Sequence, residues 1–509
     1  MSSLLLRNAR AGLGGPVRDV LIVGGLIAEP GTEPPPGTET VDVQGGTVLP
    51  GLWDTHVHAV QWAQTRRRVD LSGARSAREA VALMTAAPQE SGLTVGFGFR
   101  DGLWPDAPDK ALLESVAPGA ALVLMSQDLH TVWLSPAALT LIGRGDHPTG
   151  VLREQECYAA VAALPRAPQE ELDRWVAEAA TAAATRGVVG IQDFEMADNV
   201  TDWSRRAQAH RLDVRVVCSI PRNRLEEAIG RGLRTGEKVP VPDGAGRGPR
   251  TGGPDGEGVP GRGPRTRQAA GPHDLLEVGP VKIFTDGSLN TKTAYCEIPY
   301  PGTSSRGSLE IAPEELRTLM ALASAHGVHP AVHAIGDLAV AITLDAFEAV
   351  GCPGRIEHAQ LVTPADLPRF ARPGLVAGVQ PAHAPDDREI ADTYWKGHTH
   401  RAYPYAALAA AGATLEFGSD APVAPLDPWD GIASAVTRTD DTRDPWHPEQ
   451  SLTLEAALAA STRGRTLTPG SAADLLITPT DPSGLSPSKL RDMEVIGTLL
   501  AGRWTHRLL

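Results

Sequence analysis

Eight short apolar runs punctuate the chain, and each gives way to glycine, aspartate, histidine or proline near its C-terminal end. They are Leu52 to His58, Gly187 to Asp193, Val214 to Ile220, Val278 to Thr285, Val328 to Ala334, Arg355 to Ala359, Leu375 to Pro381 and Thr414 to Asp420. Short apolar runs of this kind predict parallel strands buried on both faces. Between them lie helical patterns: Pro313 to Ala325 has the apolar spacing of a half-buried helix, and Leu338 to Val350 follows the fifth run, with Asp337 placed to cap it. Eight strands alternating with helices predict an α/β fold, a (β/α)8 barrel of the TIM type. Its active site belongs at the C-terminal ends of the strands.

Three regions fall outside that pattern. Residues 1–50 hold short strands broken by turns, as in Asp19 to Gly25 and Val41 to Gly46, and the C-terminal part, 441–509, has the same character in Ala473 to Thr478 and Val495 to Gly502. Both ends are expected to pair in one composite β-sandwich domain beside a barrel spanning 51–440. Residues 59–180 form a large insertion after strand one, where a βα loop usually has roughly two to six residues. This lobe, with apolar segments at Thr94 to Phe99 and Ala121 to Asp128, is expected to cover the barrel mouth. A segment at 239–272 is dominated by Gly, Pro, Arg, Thr and Asp and repeats Gly-Arg-Gly-Pro-Arg-Thr from Gly246 and Gly261. Such a composition buries too little apolar surface to offset ordering entropy, so a disordered excursion is expected there.

A length of 509 residues suits one barrel with insertions and a satellite domain. The net charge of −14 argues against a nucleic-acid-binding surface. Cys157, Cys218, Cys296 and Cys352 lie far apart with no Cys-X-X-Cys spacing, which suggests neither a disulfide framework nor a zinc ribbon. Reduced thiols, a start at Met1 without a signal-like pattern and no run long enough to span a bilayer lead to a cytoplasmic protein with no membrane partner as the expectation.

The chemistry concentrates at the strand ends. His56 and His58 are two residues apart on an extended segment, so both imidazoles point to one side and can grip one metal ion. Later runs supply further candidates: Lys282, His333, His358 and Asp420. Lysine is scarce in this chain, where arginine is the abundant base, and one inside an apolar strand stands out. An ammonium cannot ligate a cation, but a buried lysine has a depressed pKa, and its neutral amine can take up carbon dioxide as a carbamate. A metallohydrolase is the leading reading.

The phrases Leu49 to His58, Val281 to Ser288, Val332 to Asp337, Arg355 to Ala359, Val379 to Pro381 and Gly418 to Pro422 resemble the amidohydrolase superfamily. Within it they resemble the YtcJ-like branch, which includes N-substituted formamide deformylases. The resemblance runs nearly the whole chain. It implies two divalent metal ions, usually zinc: His56 and His58 at the buried one, His333 and His358 at the more exposed one, a carboxylated Lys282 bridging them, and Asp420 on the first. It further implies hydrolysis of a small-molecule, non-peptide amide or formamide by a metal-bridging hydroxide, with Asp420 as general base and then general acid. His130 matches a histidine that recurs in the branch and is expected on the substrate side, as is Asp286 just beyond the lysine strand. Glu154, Gln192, Asp193 and Gln380 are expected behind these groups. Relatives often associate, so the resemblance allows a homodimer. Two stretches depart from the family pattern, Gly96 to Arg100, where a tryptophan is usual, and Pro105 to Lys110, so a relative's substrate does not transfer. A hydrolytic deaminase or a cyclic-amide or ester hydrolase shares the same metal chemistry, and a non-catalytic scaffold would have lost ligands that are intact here.

Overall fold

The computed structural model describes residues 3–86, 93–165, 167–240 and 272–509. Eight parallel strands make the central sheet: β1 (Leu52–Val57), β2 (Val188–Asp193), β3 (Arg215–Pro221), β4 (Leu276–Phe284), β5 (Pro330–Ala334), β6 (Gly354–His358), β7 (Leu375–Val379) and β8 (Thr414–Phe417). Each pairs with its neighbours in sequence order. Every residue of β1, β2, β5 and β6 is buried, as the apolar runs require. The sheet closes just past the regular ladder. Asp420 N donates to His56 O at 2.8 Å and His58 N to Ala421 O at 2.8 Å, joining the segment after β8 to the end of β1. The seam of the barrel therefore lies among the residues that carry the candidate chemistry.

Helices cover the outside. Pro313–Ala325 starts with proline in its first turn, buries Leu316, Met320 and Ala323 at helical spacing, and packs on Asp337–Val350. Asp337 is the first residue of the latter helix, with Gly336 at its N-cap. From that first-turn position the Asp337 carboxylate accepts the N–H of Leu338 at 3.0 Å, and it also accepts the backbone N–H of Glu297 at 2.7 Å and pairs with Arg401 at 2.9 Å, so it serves the helix start and fastens loops as well.

The two chain ends meet in a second eight-stranded sheet. Thr47–Pro50 pairs antiparallel with Leu475–Thr478, which continues to Gly497–Leu500 and Arg503–Arg507. On the other side, Ser3–Ala11 pairs with Val17–Val23 along one edge, and along the other first with Glu39–Asp42 and then with Thr47–Pro50, so the sheet forks. It has its own core of Leu6, Ile22, Val48, Leu475, Ile477 and Leu499.

The insertion after β1 folds as a five-stranded sheet in the order Val151–Arg153, Thr131–Leu134, Ala121–Ser126, Leu93–Phe99, Val69–Asp70. Two separate apolar clusters serve it, one around Leu71, Leu122 and Trp133, the other around Val123, Leu134 and Leu152. Polar contacts dock the lobe on the barrel's C-terminal loops. Ser288 Oγ donates to Asp128 at 2.9 Å, Tyr394 OH to Gly102 O at 2.7 Å, and Arg100 pairs with Asp386 at 3.0 Å. The excursion expected at 239–272 lies, except for its ends, outside the described residues. Among the described residues no helix is long and apolar enough to cross a membrane. All four cysteines are buried and free.

Candidate metal centre

β1 carries His56, and His58 follows directly on its last residue, with the shared direction that a two-residue spacing on an extended segment imposes. The Nε2 atoms of both face one carboxylate oxygen: Asp420 Oδ1 lies 3.5 Å from His56 Nε2 and 3.4 Å from His58 Nε2. Two ligands bound tetrahedrally to one ion at about 2.1 Å stand about 3.4 Å apart, so this spacing is that of a ligand set. His358 joins them, and one ligating atom from each of His56, His358 and Asp420 lies within 4.8 Å of the other two. The backbone bends to achieve this. His358 and Asp420 adopt left-handed conformations with φ of 75° and 59°, which non-glycine residues rarely do and which recur at functional sites.

The outer nitrogens of His56 and His358 are held as metal ligands require, whereas His58 Nδ1 is buried with no partner among the described residues. His56 Nδ1 bonds Glu357 Oε2 at 2.8 Å, and His358 Nδ1 bonds Gln380 Oε1 at 3.0 Å, each leaving Nε2 to the centre. His333 is reversed: its Nε2 bonds the Gly287 carbonyl at 3.2 Å, which leaves Nδ1 as the free nitrogen. Its ring stands 4.4 Å from that of His358, centroid to centroid, beside the three-residue cluster. Lys282 Nζ is 3.2 Å from His56 Nε2 and lies over the rings of Phe194 and Phe284 at 4.6 and 5.1 Å. All six expected ligands thus converge on one end of the barrel.

Burial sets their charge states. It pushes His56 down to about 4 and holds His333 and His358 well below the usual imidazole range, so these rings are neutral at pH 7, the form that binds metal. Lys282 is pushed down to about 8 by burial. Burial raises Asp420, but His56, His58 and His358 around it outweigh that and leave its carboxyl well below the ordinary value. His58 shifts the other way: burial lowers it, but the hydrogen bond and charge of Asp420 outweigh that and raise its imidazole above the ordinary value. Three neutral imidazoles, a fourth paired with an ionised carboxylate, and an amine of depressed pKa form a donor set that fits divalent cations.

The pattern of one protein family matches residues 39–506, and that family is described as the amidohydrolase family. The chain belongs to the amidohydrolase family. It is 25% identical over 519 residues to the putative amidohydrolase YtcJ of Bacillus subtilis (strain 168), covering 92% of this chain and 90% of that protein. It is also 25% identical over 526 residues to N-substituted formamide deformylase of Arthrobacter pascens, covering 95% and 94%. An uncharacterized metal-dependent hydrolase from Pyrococcus horikoshii OT3 shares the fold, with a TM-score of 0.74 at 23% identity over 96% of this chain and 99% of that one. This amidohydrolase falls in the YtcJ-like branch, and its family membership makes it a hydrolase of amide C–N bonds.

Beside the centre of this amidohydrolase, the lobe contributes a partly buried polar hub. His130 Nδ1 bonds Glu154 Oε2 at 2.7 Å and the Tyr158 hydroxyl at 2.9 Å, while Glu154 Oε1 accepts from Thr293 Oγ1 at 2.7 Å in the loop after β4. Burial lowers His130, but the hydrogen bond and charge of Glu154 outweigh it and lift the imidazole to about 9; the charge of Asp420 also reaches it. Asp286 has both oxygens engaged by backbone N–H groups, from Ile335 at 3.0 Å, Gly336 at 2.8 Å and Tyr295 at 2.9 Å. It organises the loops after β4 and β5. Asp193 likewise accepts Ala59 N, Glu195 N and Trp203 Nε1, and Gln192 has a buried amide nitrogen with no partner among the described residues.

Two residues that sequence reasoning assigned no role prove central. Asp54 Oδ1 accepts the N–H groups of His56 at 3.2 Å and Ser419 at 2.9 Å, tying β1 to the segment after β8, and burial lifts its carboxyl to about 7. Glu357 holds His56. The available signal for Asp54 was its place two residues before His56; for Glu357 it was an acidic residue inside an apolar strand.

Proposed function

We propose that this amidohydrolase cleaves a small-molecule, non-peptide amide or formamide C–N bond with two divalent ions, zinc foremost. The observation that carries the reading is the cluster of His56, His358 and Asp420, with His58 on the same carboxylate oxygen and the outer nitrogens of His56 and His358 already engaged. His56, His58 and Asp420 would hold one ion, His333 and His358 the other, and a carboxylated Lys282 would span them. Bound there, the ions supply a Lewis acid for the scissile carbonyl and make hydroxide available near neutral pH.

The remaining work falls to side chains. Asp420, ionised and central, accepts a proton from the attacking water and delivers it to the departing nitrogen, which must leave as a neutral amine. His130, held by Glu154 and raised to about 9, would donate to the acyl oxygen of a substrate entering under the lobe. The lobe, docked on the loops at that end of the barrel, would limit water around the bound substrate. Four buried, unpaired cysteines suit a reducing compartment, and the cytoplasm is the proposed one.

The formamide choice draws on the similarity to the Arthrobacter pascens deformylase. The test is to strip the protein with a chelator, restore zinc and screen N-substituted formamides and N-acyl amines for release of formate or another carboxylate. Metal-dependent release, lost in Asp420→Asn, supports the reading. Ammonia release from amino-substituted heterocycles, with no carboxylate from any amide, would replace it with a deaminase.

A further inference from the structure

Glu357 precedes His358 on β6, and its side chain is fully buried between β1, β7 and β8. Its Oε2 accepts from His56 Nδ1 at 2.8 Å, and its Oε1 accepts from Arg355 Nε at 2.6 Å. Arg355 continues inward, with Nη2 donating to Thr55 Oγ1 at 3.2 Å and Nη1 to Glu416, whose other oxygen accepts from Arg463 Nε at 3.2 Å. A line of alternating charges thus runs from Arg463 through Glu416, Arg355 and Glu357 to the imidazole of His56. β7 makes room for it: a Cβ at Gly378 would stand 2.3 Å from Glu357 Oε2 and 2.6 Å from Arg355 Nη2.

Buried ion pairs are a poor way to stabilise a core, because desolvating each ion costs several kcal/mol and apolar replacements are often as stable. The line ends on a ring nitrogen whose protonation decides the chemistry of the opposite nitrogen. A neutral imidazole carries its proton on Nδ1 or on Nε2, and only the lone-pair nitrogen can bind a metal. We propose that Glu357 is a positioning residue that fixes His56 in the Nδ1-protonated tautomer, so that Nε2, the atom facing Lys282 and Asp420, presents its lone pair to the metal. Arg355, donating to the other oxygen, holds the Glu357 carboxylate aimed at His56 Nδ1. This inference rests on the metal-hydrolase reading.

The test compares Glu357→Gln, Glu357→Asp and Glu416→Gln with wild type, as folded metal-free proteins, by chelator competition for zinc and by urea unfolding. Glu416→Gln breaks the same line of charges without touching His56. The role predicts that Glu357→Gln loses about 10- to 100-fold in zinc affinity, that Glu357→Asp falls between it and wild type, and that Glu416→Gln loses stability but keeps its affinity. Should Glu357→Gln not fold, the aspartate variant carries the comparison, and affinity equal to wild type there overturns the proposal. Unchanged affinity in Glu357→Gln, or equal losses in Glu357→Gln and Glu416→Gln, would reduce the network to a structural one. A wild type that binds no zinc would instead overturn the metal-hydrolase reading and this inference with it.

Discussion

Asp420 is the residue on which the two strand-one histidines converge, so its removal separates chemistry from scaffolding. Asp420→Asn keeps the shape and removes the charge; turnover is expected to fall at least about 10²-fold, the lower range for a lost general acid–base, with reduced zinc retention. A steady-state assay on zinc-restored protein measures the first and elemental analysis the second. His130 and Glu154 make a pH-dependent pair. The imidazole rises from 6.5 to about 9 on folding, so its contribution to stability is complete below pH 6.5 and is lost as pH climbs through 9. Glu154 is displaced to about 2, where its hydrogen bonds and the charge of His130 outweigh burial, so its contribution fades only as pH falls below about 4.5. Metal-free wild type is therefore expected to lose up to roughly 3 kcal/mol between pH 6 and 9 that His130→Asn does not lose, read from urea midpoints. The zinc-loaded protein should show less, because a nearby divalent cation opposes the imidazolium. The candidate ligands were legible one by one because histidine, lysine and aspartate are conspicuous in apolar strands. Glu357 was less legible because its meaning depends on His56, 301 positions away.

At the scale of elements, the eight strands were legible as apolar runs, and the helix Pro313–Ala325 has the expected bounds. Strand ends were less so. The run Thr414 to Asp420 keeps ladder pairing only to Phe417, because the chain then turns into the left-handed conformation that aims Asp420 at the two histidines. An apolar pattern reports burial, and burial continues where the ladder stops. Gly418 sits in that turn, and a Cβ there would stand 2.6 Å from both Cβ and N of His56. Gly418→Ala is expected to cost about 1–3 kcal/mol by overpacking and to weaken zinc binding by moving β1. Urea unfolding with a parallel zinc titration checks both. The lobe was visible as an insertion with two apolar segments, but its strand order was not, since local sequence does not encode which strands become neighbours.

The whole molecule is held by contacts between its distant parts. Asp474, at the head of a C-terminal strand, accepts from Arg215 Nε of β3 at 2.6 Å and receives Ala501 N at 2.8 Å, with its side chain only 3% exposed. Asp474→Ala leaves that guanidinium without its carboxylate and is expected to destabilise by about 3 kcal/mol, by urea unfolding, with zinc content unchanged. The pairing of the two ends was legible because both carry short apolar strands of one character, whereas the fork in their sheet was not, as it depends on Ser3–Ala11 changing partners midway. Elemental analysis of wild type and Lys282→Ala, purified in parallel with bicarbonate supplied, is expected to find about two divalent ions per wild-type chain and fewer in the variant. A wild-type chain that retains no divalent ion would contradict the account.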